Sequence, residues 1–352
     1  MYHFLYNVLL ILSLTLSILS AEFDYVTVPP GADPSVSAED GGNGFDEIAN
    51  SLGYTTHTFT EEDIQFFGDE KALKGGTLHD YISRFPATMR LFGKEANYLE
   101  NYWIKLLCYE PLLERHPLTW ESTVPRLASH WKISEDKQKF WFRINPDARW
   151  SDGRRVTSED VVATWFLRMD ETILDPSQQV MFDKFEEPIA ESMYIVSVVA
   201  KEKKWENFAT FASDMHILPA YYVDQVDGTE YLEEYQFSFM PNTGPYIMKD
   251  EDIVNQESYQ LTRRNDFWAK GHLQNRYRFN FDAISWFVIK DNATLPFEKL
   301  KKGEFDYFEV ARSARWVEDC VPEKIKAIKK GWMKKHRIFS NKPAGTSGYG
   351  FN

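Results

Sequence analysis

Short strand-like and helical segments alternate irregularly along the chain, and this order constrains the fold more than any other feature. Residues 139–144 and 194–200 have the alternating or β-branched character of strands, whereas residues 97–113 and 157–166 place apolar side chains at helical spacing. The segments follow no regular strand–helix–strand period, and no internal repeat is present. The sequence therefore predicts a mixed α+β fold.

Turn residues and periodicity indicate further elements of the same mixed kind. The pair Gly75-Gly76 precedes a strand, and a short helix over 296–302 ends at Gly303. The basic residues of 324–337, interrupted by apolar positions, favour a solvated amphipathic helix. The remaining strands are predicted at 246–248, 259–264, 283–289 and 305–308. Because hydrophobic residues make up 43% of the chain, these elements can bury a sizeable core.

The N-terminus has the pattern of an export signal. Residues 1–20 carry no charged side chain, and their apolar run is followed by the small residues Ser20 and Ala21. This pattern is typical of a secretory signal peptide, which we assign to residues 1–21. An uncleaved anchor is the alternative, but the run is short for a hydrocarbon core of about 30 Å. Since no Cys lies near the cleavage site, we expect an exported protein without a lipid anchor.

Acidic side chains are concentrated in one stretch. Residues 22–70 contain 12 of the 53 Asp and Glu residues and no Lys or Arg, whereas the later chain holds nearly equal numbers of both signs. Residues 22–50 of this acidic leader (22–70) are rich in Gly, Pro, Asp and Ser, which predicts a flexible or loosely packed segment there. The net charge of −13 argues against nucleic acid as a partner.

No motif in the chain nominates an enzyme, a metal site or a cofactor. The eight His residues are scattered, and no glycine-rich segment has the context of a phosphate loop. The carboxylates Glu110 and Glu114 fall on a predicted helix face, where solvated structural roles are commoner than acid–base catalysis. The helical pattern around Cys108 predicts a buried thiol, and whether Cys108 pairs with Cys320 stays open.

A series of short blocks between residues 74 and 307 carries the most specific information. The blocks are KGGTL (74–78), YEPLL (109–113), PRLASHW (125–131), FWFRINP (140–146), ARWSDG (148–153), VTSEDV (156–161), NTGPY (242–246), RNDFW (264–268) and LKKGEFDY (300–307). In their order and spacing they resemble the bacterial extracellular solute-binding proteins of the dipeptide/oligopeptide class, which serve ABC importers. Residues 341–352 resemble the subgroup linked to microcin and oligopeptide uptake.

The resemblance implies a periplasmic-binding-protein type II fold with two lobes that enclose the ligand. It places a first lobe at 71–285, with an inserted subdomain at about 95–190, and a hinge and the start of a second lobe at 286–352. Family members continue beyond this point, so the resemblance also implies a C-terminally truncated chain whose second lobe is largely missing. We accordingly expect no tight peptide binding by this chain alone.

The same resemblance implies a monomeric periplasmic protein that captures oligopeptides and delivers them to an ABC permease without catalysis or cofactor. Its topology places cleft-facing groups before the first helix, at the turn near 242–244, and where the chain approaches the second lobe. The ligand-binding residues it indicates are Asn97, Tyr98, Thr243, Gly244 and Asp291. Tyr98 is expected to form an aromatic wall.

Two other functions stay open at this point. Relatives with this fold bind nickel chelates, haem or oligosaccharides, and the 16% aromatic content suits sugar stacking. A secreted carbohydrate-active enzyme is the second alternative, and it requires two acids within reach of each other in one cleft.

Overall fold

A computed structural model describes residues 28–117, 123–290 and 294–337. The signal peptide assigned to 1–21 and the segment 341–352 therefore lie outside the described residues. The helices are α1 (Phe45–Ile48), α2 (Glu61–Phe67), α3 (Leu99–Cys108), α4 (Ser158–Met169), α5 (Pro176–Phe182), α6 (Asn207–Asp214), α7 (Ala220–Val223), α8 (Gly228–Glu234), α9 (Leu295–Lys302) and α10 (Lys326–Lys329). The strands are β1 (Thr77–Ile82), β2 (Leu113–Arg115), β3 (Thr123–Pro125), β4 (Ala128–Ile133), β5 (Lys139–Ile144), β6 (Ile189–Ala190), β7 (Ile195–Val199), β8 (Tyr246–Ile247), β9 (Ile253–Val254), β10 (Ser258–Arg263) and β11 (Ala283–Val288).

Two main sheets organise these elements. The first has the order β1-β11-β10-β8, with β9 also on β10, and only its β1–β11 pair is parallel. The second is antiparallel with the order β4-β5-β7-β6, and β2 and β3 form a separate hairpin. The mixed α+β class predicted from the sequence is confirmed.

Local sequence signals explain several element boundaries. At the start of α4 the Asp160 carboxylate accepts a hydrogen bond from the backbone N–H of Thr157 (2.7 Å), which confirms the predicted N-terminus. Helix α9 ends at Gly303, whose φ of 79° is readily adopted only by glycine. On β5 the apolar side chains Phe140, Phe142 and Ile144 are buried, as the strand prediction requires.

Most buried apolar residues form one large core. This core spans both main sheets, and a smaller cluster built on Ile289, Phe297 and Phe305 lies beside β1. Cys108 belongs to the large core and Cys320 to the smaller one, and both thiols are unpaired. The sequence left open whether the two cysteines pair, and in this structure they form no disulfide.

The acidic leader is packed against the body of the protein, so the expectation of a flexible or loosely packed segment over 22–50 is wrong for the described residues 28–50. Phe45 is fully buried and forms a small core with Ala49 and Ile195 of β7. Because the leader has no cation of its own, its acids pair with distant arginines: Asp33 with Arg155 (3.5 Å), Asp46 with Arg143 (3.5 Å) and Glu61 with Arg276 (2.7 Å).

Three predicted elements differ from the structure. The helix predicted over 97–113 ends at Cys108, because Pro111 disfavours helical geometry in the residue before it. Residues 305–308 form no strand and share a single backbone hydrogen bond with β1, from Asp306 N–H to His79 O (2.9 Å). The basic helix predicted over 324–337 is reduced to α10, and Gly331 follows it in a left-handed conformation (φ 73°).

Among the helices of residues 28–117, 123–290 and 294–337, none combines the length and the apolar character that a membrane span needs.

Candidate ligand-binding site

The parallel pairing of β1 and β11 brings two distant parts of the chain to one edge of the first sheet. Ile82 and Val288 are partners at the ends of these strands, and Ile289 N–H donates to Ile82 O (2.9 Å). Arg84 and Lys290, each two residues beyond the last strand residue, therefore lie at the same edge of the sheet, where β1 and β11 end. The family resemblance indicated a ligand contact close to Lys290, at Asp291, and none near Arg84.

Arg84 and Tyr98 form the central contact at this edge. The Arg84 guanidinium lies over the Tyr98 ring, 4.2 Å from its centroid, in a cation–π arrangement. Tyr98 is half-buried and Asn97 is exposed, so both side chains have surface available to a ligand. Tyr98 also stands at the N-cap position of α3, where no side chain caps the helix. The family resemblance indicated Asn97 and Tyr98 as ligand-binding residues but did not indicate Arg84.

The buried side-chain amide of Asn101 fixes the start of α3. The side-chain nitrogen of Asn101 donates hydrogen bonds to Thr88 O and to Arg90 O. Since these carbonyls belong to the loop that follows β1, the amide holds the helix start and the strand exit in one arrangement. Tyr98 and Arg84 are thereby presented by a rigid support.

Helix α3 buries only some of its apolar side chains. Ile104 and Cys108 are buried together with Asn101, whereas Trp103 and Leu106 remain 37% and 42% exposed. The hydrogen bonds of Asn101 explain this, because they draw its polar face toward the core.

The predicted contacts at Thr243 and Gly244 lie in the interior instead. Thr243 is fully buried, and its hydroxyl accepts a hydrogen bond from Glu110 N–H (3.1 Å). Gly244 N–H donates to Cys108 O (2.8 Å), and a Cβ at Gly244 would lie 2.5 Å from Leu107 O. Both residues hold the end of α3 against the first sheet and have no surface for a ligand in this structure. Asp291 lies outside the described residues.

The acid pair Glu110 and Glu114 belongs to a buried ionic network rather than to a solvated helix face. Arg126 lies 3.6 Å from Glu110 and 3.1 Å from Glu114, and Arg278 makes a two-bond contact with Glu114. Burial raises the pKa of Glu110. Burial also opposes ionisation of Glu114, but the two guanidinium groups outweigh it and lower the pKa of Glu114 to about 2.

The carbohydrate-active enzyme alternative requires two acids that face each other in one cleft. Glu110 also accepts a hydrogen bond from the indole of Trp268 (2.8 Å), and Asp160 is engaged in the cap of α4. Glu110 and Glu114, the acid pair named from the sequence, are thus held in one buried network with Arg126, and Asp160 serves a helix cap. In the described parts of the chain, no group of three or more His, Cys, Asp or Glu side chains could hold a metal ion.

Comparison with known proteins agrees with this architecture. The family profile "Bacterial extracellular solute-binding proteins, family 5 Middle" matches residues 122–352. A probable peptide-binding protein, YejA, of Agrobacterium fabrum is 25% identical over 274 residues, covering 76% of this chain and 42% of the relative. A putative binding protein of Brucella melitensis is 27% identical over 328 residues, covering 87% of this chain and 48% of the relative.

A solved structure shows the same fold. The oligopeptide-binding protein AppA of Bacillus subtilis, in complex with a nonapeptide, superposes with a TM-score of 0.56 at 19% identity, over 71% of this chain and 47% of AppA. The periplasmic-binding-protein type II fold predicted from the sequence is confirmed by this match, and the chain spans less than half the length of each of these relatives. With the family profile covering well over half of its residues, the chain belongs to the bacterial extracellular solute-binding proteins of family 5.

Proposed function

We propose that this chain is part of a periplasmic binding protein that captures oligopeptides and delivers them to an ABC permease by lobe closure, without catalysis. Support comes from the family membership, from a relative named as a probable peptide-binding protein, and from a solved structure of the same fold with a bound nonapeptide. Export through the signal peptide at 1–21 and a monomeric state are parts of the same proposal.

The contact between Arg84 and Tyr98 is the observation that carries the proposal. An aromatic ring offers a flat wall to peptide side chains, and a guanidinium offers donors to carbonyl or carboxylate oxygens. The two lie at the sheet edge where β1 and β11 end, and the adjacent Asn97 side chain is exposed. This combination of an apolar surface with a few fixed polar groups suits a ligand with an alternating polar backbone.

We further propose that residues 71–285 form the first lobe, with its inserted subdomain at about 95–190, and that residues 286–352 begin the second. Two separate hydrophobic clusters support this division, since the smaller one begins at Ile289. A ligand held at the Arg84–Tyr98 edge would then lie at the junction of the lobes. Closure of the second lobe would cover it.

Photo-crosslinking tests this site even where affinity is low. Mixed oligopeptides that carry a benzophenone side chain are irradiated with the protein, and the adducts are mapped by mass spectrometry. We expect adducts within residues 83–98 and 288–290, and a several-fold lower yield in Tyr98→Ala because the ring wall is lost. Trp205→Ala is the matched control, since Trp205 is 91% exposed and lies outside these segments.

Each outcome decides the proposal. Adducts at the two segments that depend on Tyr98 but not on Trp205 support peptide capture at this edge. Labelling that is scattered, or unaffected by Tyr98→Ala, overturns the site. If an oligosaccharide, nickel chelate or haem competes for the same segments at lower concentration than peptide does, the site stands but the peptide assignment is overturned.

A further inference from the structure

A second candidate site lies at the opposite end of the first sheet. A cavity of about 300 Å³ opens beside Lys74, which precedes β1, and Arg263, which ends β10. Arg84 follows the other end of β1. Because six strand residues span roughly 20 Å, the cavity is separated from the Arg84–Tyr98 edge by the length of the strand. It is therefore a distinct feature and does not rest on the proposed function.

Cationic side chains dominate the wall of this cavity. Of the described residues that line it, none is Asp or Glu, and the wall contains Lys74, Arg263, Arg264, Lys270 and Arg278. Such a concentration of positive charge is unusual in a chain with a net charge of −13. Like charges gathered around one cavity repel one another, so their arrangement favours an anion between them.

Neighbouring acids neutralise only part of this charge. Arg263 pairs with Asp282, and Arg278 makes two hydrogen bonds to Glu114. Neither acid lines the cavity. Arg264 pairs with Asp266, so three of the five cations have a carboxylate partner.

Arg264 is held in place by bonds that use most of its N–H donors. Its guanidinium donates to Asn242 O (2.9 Å) and Gly244 O (3.1 Å), and it pairs with Asp266 (3.1 Å). Only 3% of its side chain is exposed. Arg264 is therefore a fixed, buried part of the cavity wall and contributes positive charge to it.

Lys74 and Lys270 provide the donors that remain. Both are exposed, and neither ammonium group has an acidic partner within salt-bridge distance among the described residues. The Lys270 ammonium donates one hydrogen bond, to Asn265 O (2.7 Å), which leaves it further protons to donate. These two lysines lie on separate segments of the chain and converge on the same cavity.

Aromatic side chains exclude water from the other side of the cavity. Phe267 is buried, and Phe279 lies 4.8 Å from the Arg278 guanidinium. Phe279 has a φ of 54°, a left-handed conformation that is uncommon for an aromatic residue and costs backbone energy. Charges that border such an apolar wall act on an anion more strongly than they would in open water.

We propose that this cavity binds a small multivalent oxyanion of the phosphate class. A compact tetrahedral anion accepts hydrogen bonds from several directions at once, which matches donors that arrive from separate segments. Its two negative charges offset the two lysines, which form no salt bridge with any acid of the described residues. The same phosphate chemistry occurs free in solution and on lipid headgroups, and the test separates these sources.

The experiment is a calorimetric titration of the full chain with inorganic phosphate at low ionic strength. The double variant Lys74→Gln/Lys270→Gln removes the two available ammonium groups at exposed positions, so folding is preserved. Its control is Lys326→Gln/Lys329→Gln, which changes the net charge equally on α10, away from the cavity. We expect saturable binding that weakens about tenfold or more in the first double variant and less than about twofold in the control. Co-sedimentation with phosphatidylglycerol vesicles is measured on the same proteins.

The outcomes separate the possibilities. Phosphate binding that depends on Lys74 and Lys270 supports the proposal with free anion as the ligand. Vesicle binding with the same dependence, but no binding of free phosphate, assigns the site to lipid phosphate. Absence of both, or equal weakening in the two double variants, overturns the proposal, because the second result would show an effect of net charge alone.

Discussion

Replacement of Gly244 by alanine tests how the candidate ligand-binding site is supported. The backbone of Gly244 lies against the end of α3, and an added Cβ would meet three backbone atoms of Leu107 and Cys108 at 2.5–2.7 Å. Backbone atoms cannot rotate away as a side chain can. The end of α3 would therefore have to move by about 1 Å to restore ordinary contact distances in a close-packed interior.

The expected loss follows from two contributions. Overpacking of this kind costs about 1–3 kcal/mol in well-packed interiors. The same movement weakens the hydrogen bond from Gly244 N–H to Cys108 O (2.8 Å), which contributes about 0.5–1.5 kcal/mol. We expect Gly244→Ala to lower the free energy of unfolding by roughly 2–4 kcal/mol, measured by urea denaturation with circular dichroism and tryptophan fluorescence.

Gly271 provides the matched control. It is exposed, its backbone is outside the left-handed region, and a Cβ there would meet nothing within 4 Å. Gly271→Ala should change the free energy of unfolding by less than about 1 kcal/mol, toward higher stability, because alanine restricts the unfolded chain. If the two variants have equal stability, or Gly244→Ala matches the wild type, the close contact between α3 and Gly244 does not exist in solution and the reasoning is wrong.

Three further predictions concern the packing and the charges of the body. Phe45→Ala should lower the free energy of unfolding by about 3–5 kcal/mol, because it empties a fully buried position; a loosely packed leader would instead give no change in the urea midpoint. Asp160→Ala leaves the N–H groups of Thr157, before α4, and of Ala220, in α7, without their acceptor and should cost about 2–4 kcal/mol in the same assay, whereas a loss near zero would contradict the capping role. Because Arg126 and Arg278 lower the pKa of Glu114 to about 2, its contribution to stability is complete above pH 4.5 and is lost as the pH falls from 4.5 to 2. Glu114→Gln should therefore flatten the decline of the unfolding free energy in that range, and an unchanged slope would count against the ion network.

Elements with local causes could be predicted from the sequence. Strand β5 follows from the alternation within 139–144, and the start of α4 follows from the capping pair Thr157 and Asp160. The end of α9 follows from Gly303 in the same way. The fold family required more than local signals, because it was carried by the order of many short blocks over residues 74–307.

The remaining features depend on partners far away in the sequence. The packing of the leader depends on Arg143 and Arg155, about a hundred residues beyond the acids they pair with. The buried face of α3 is set by the hydrogen bonds of Asn101, and apolar spacing alone carries no information about them. Within the candidate site, Tyr98 was indicated by the topology that the family resemblance implies, whereas Arg84 is identified only by its contact with that ring.

The pairing of β1 with β11 has a consequence for the time course of folding. These strands are neighbours in space although their residues are separated by 206 positions, as in the pair Thr77 and Ala283. During synthesis β1 has no partner until the chain has grown past residue 288, whereas β4, β5 and β7 lie within residues 128–199 and can associate earlier. We expect pulsed hydrogen exchange to show protection in the second sheet before the first. Closure of the first sheet is thus a late event, because it waits for a contact between residues more than two hundred positions apart.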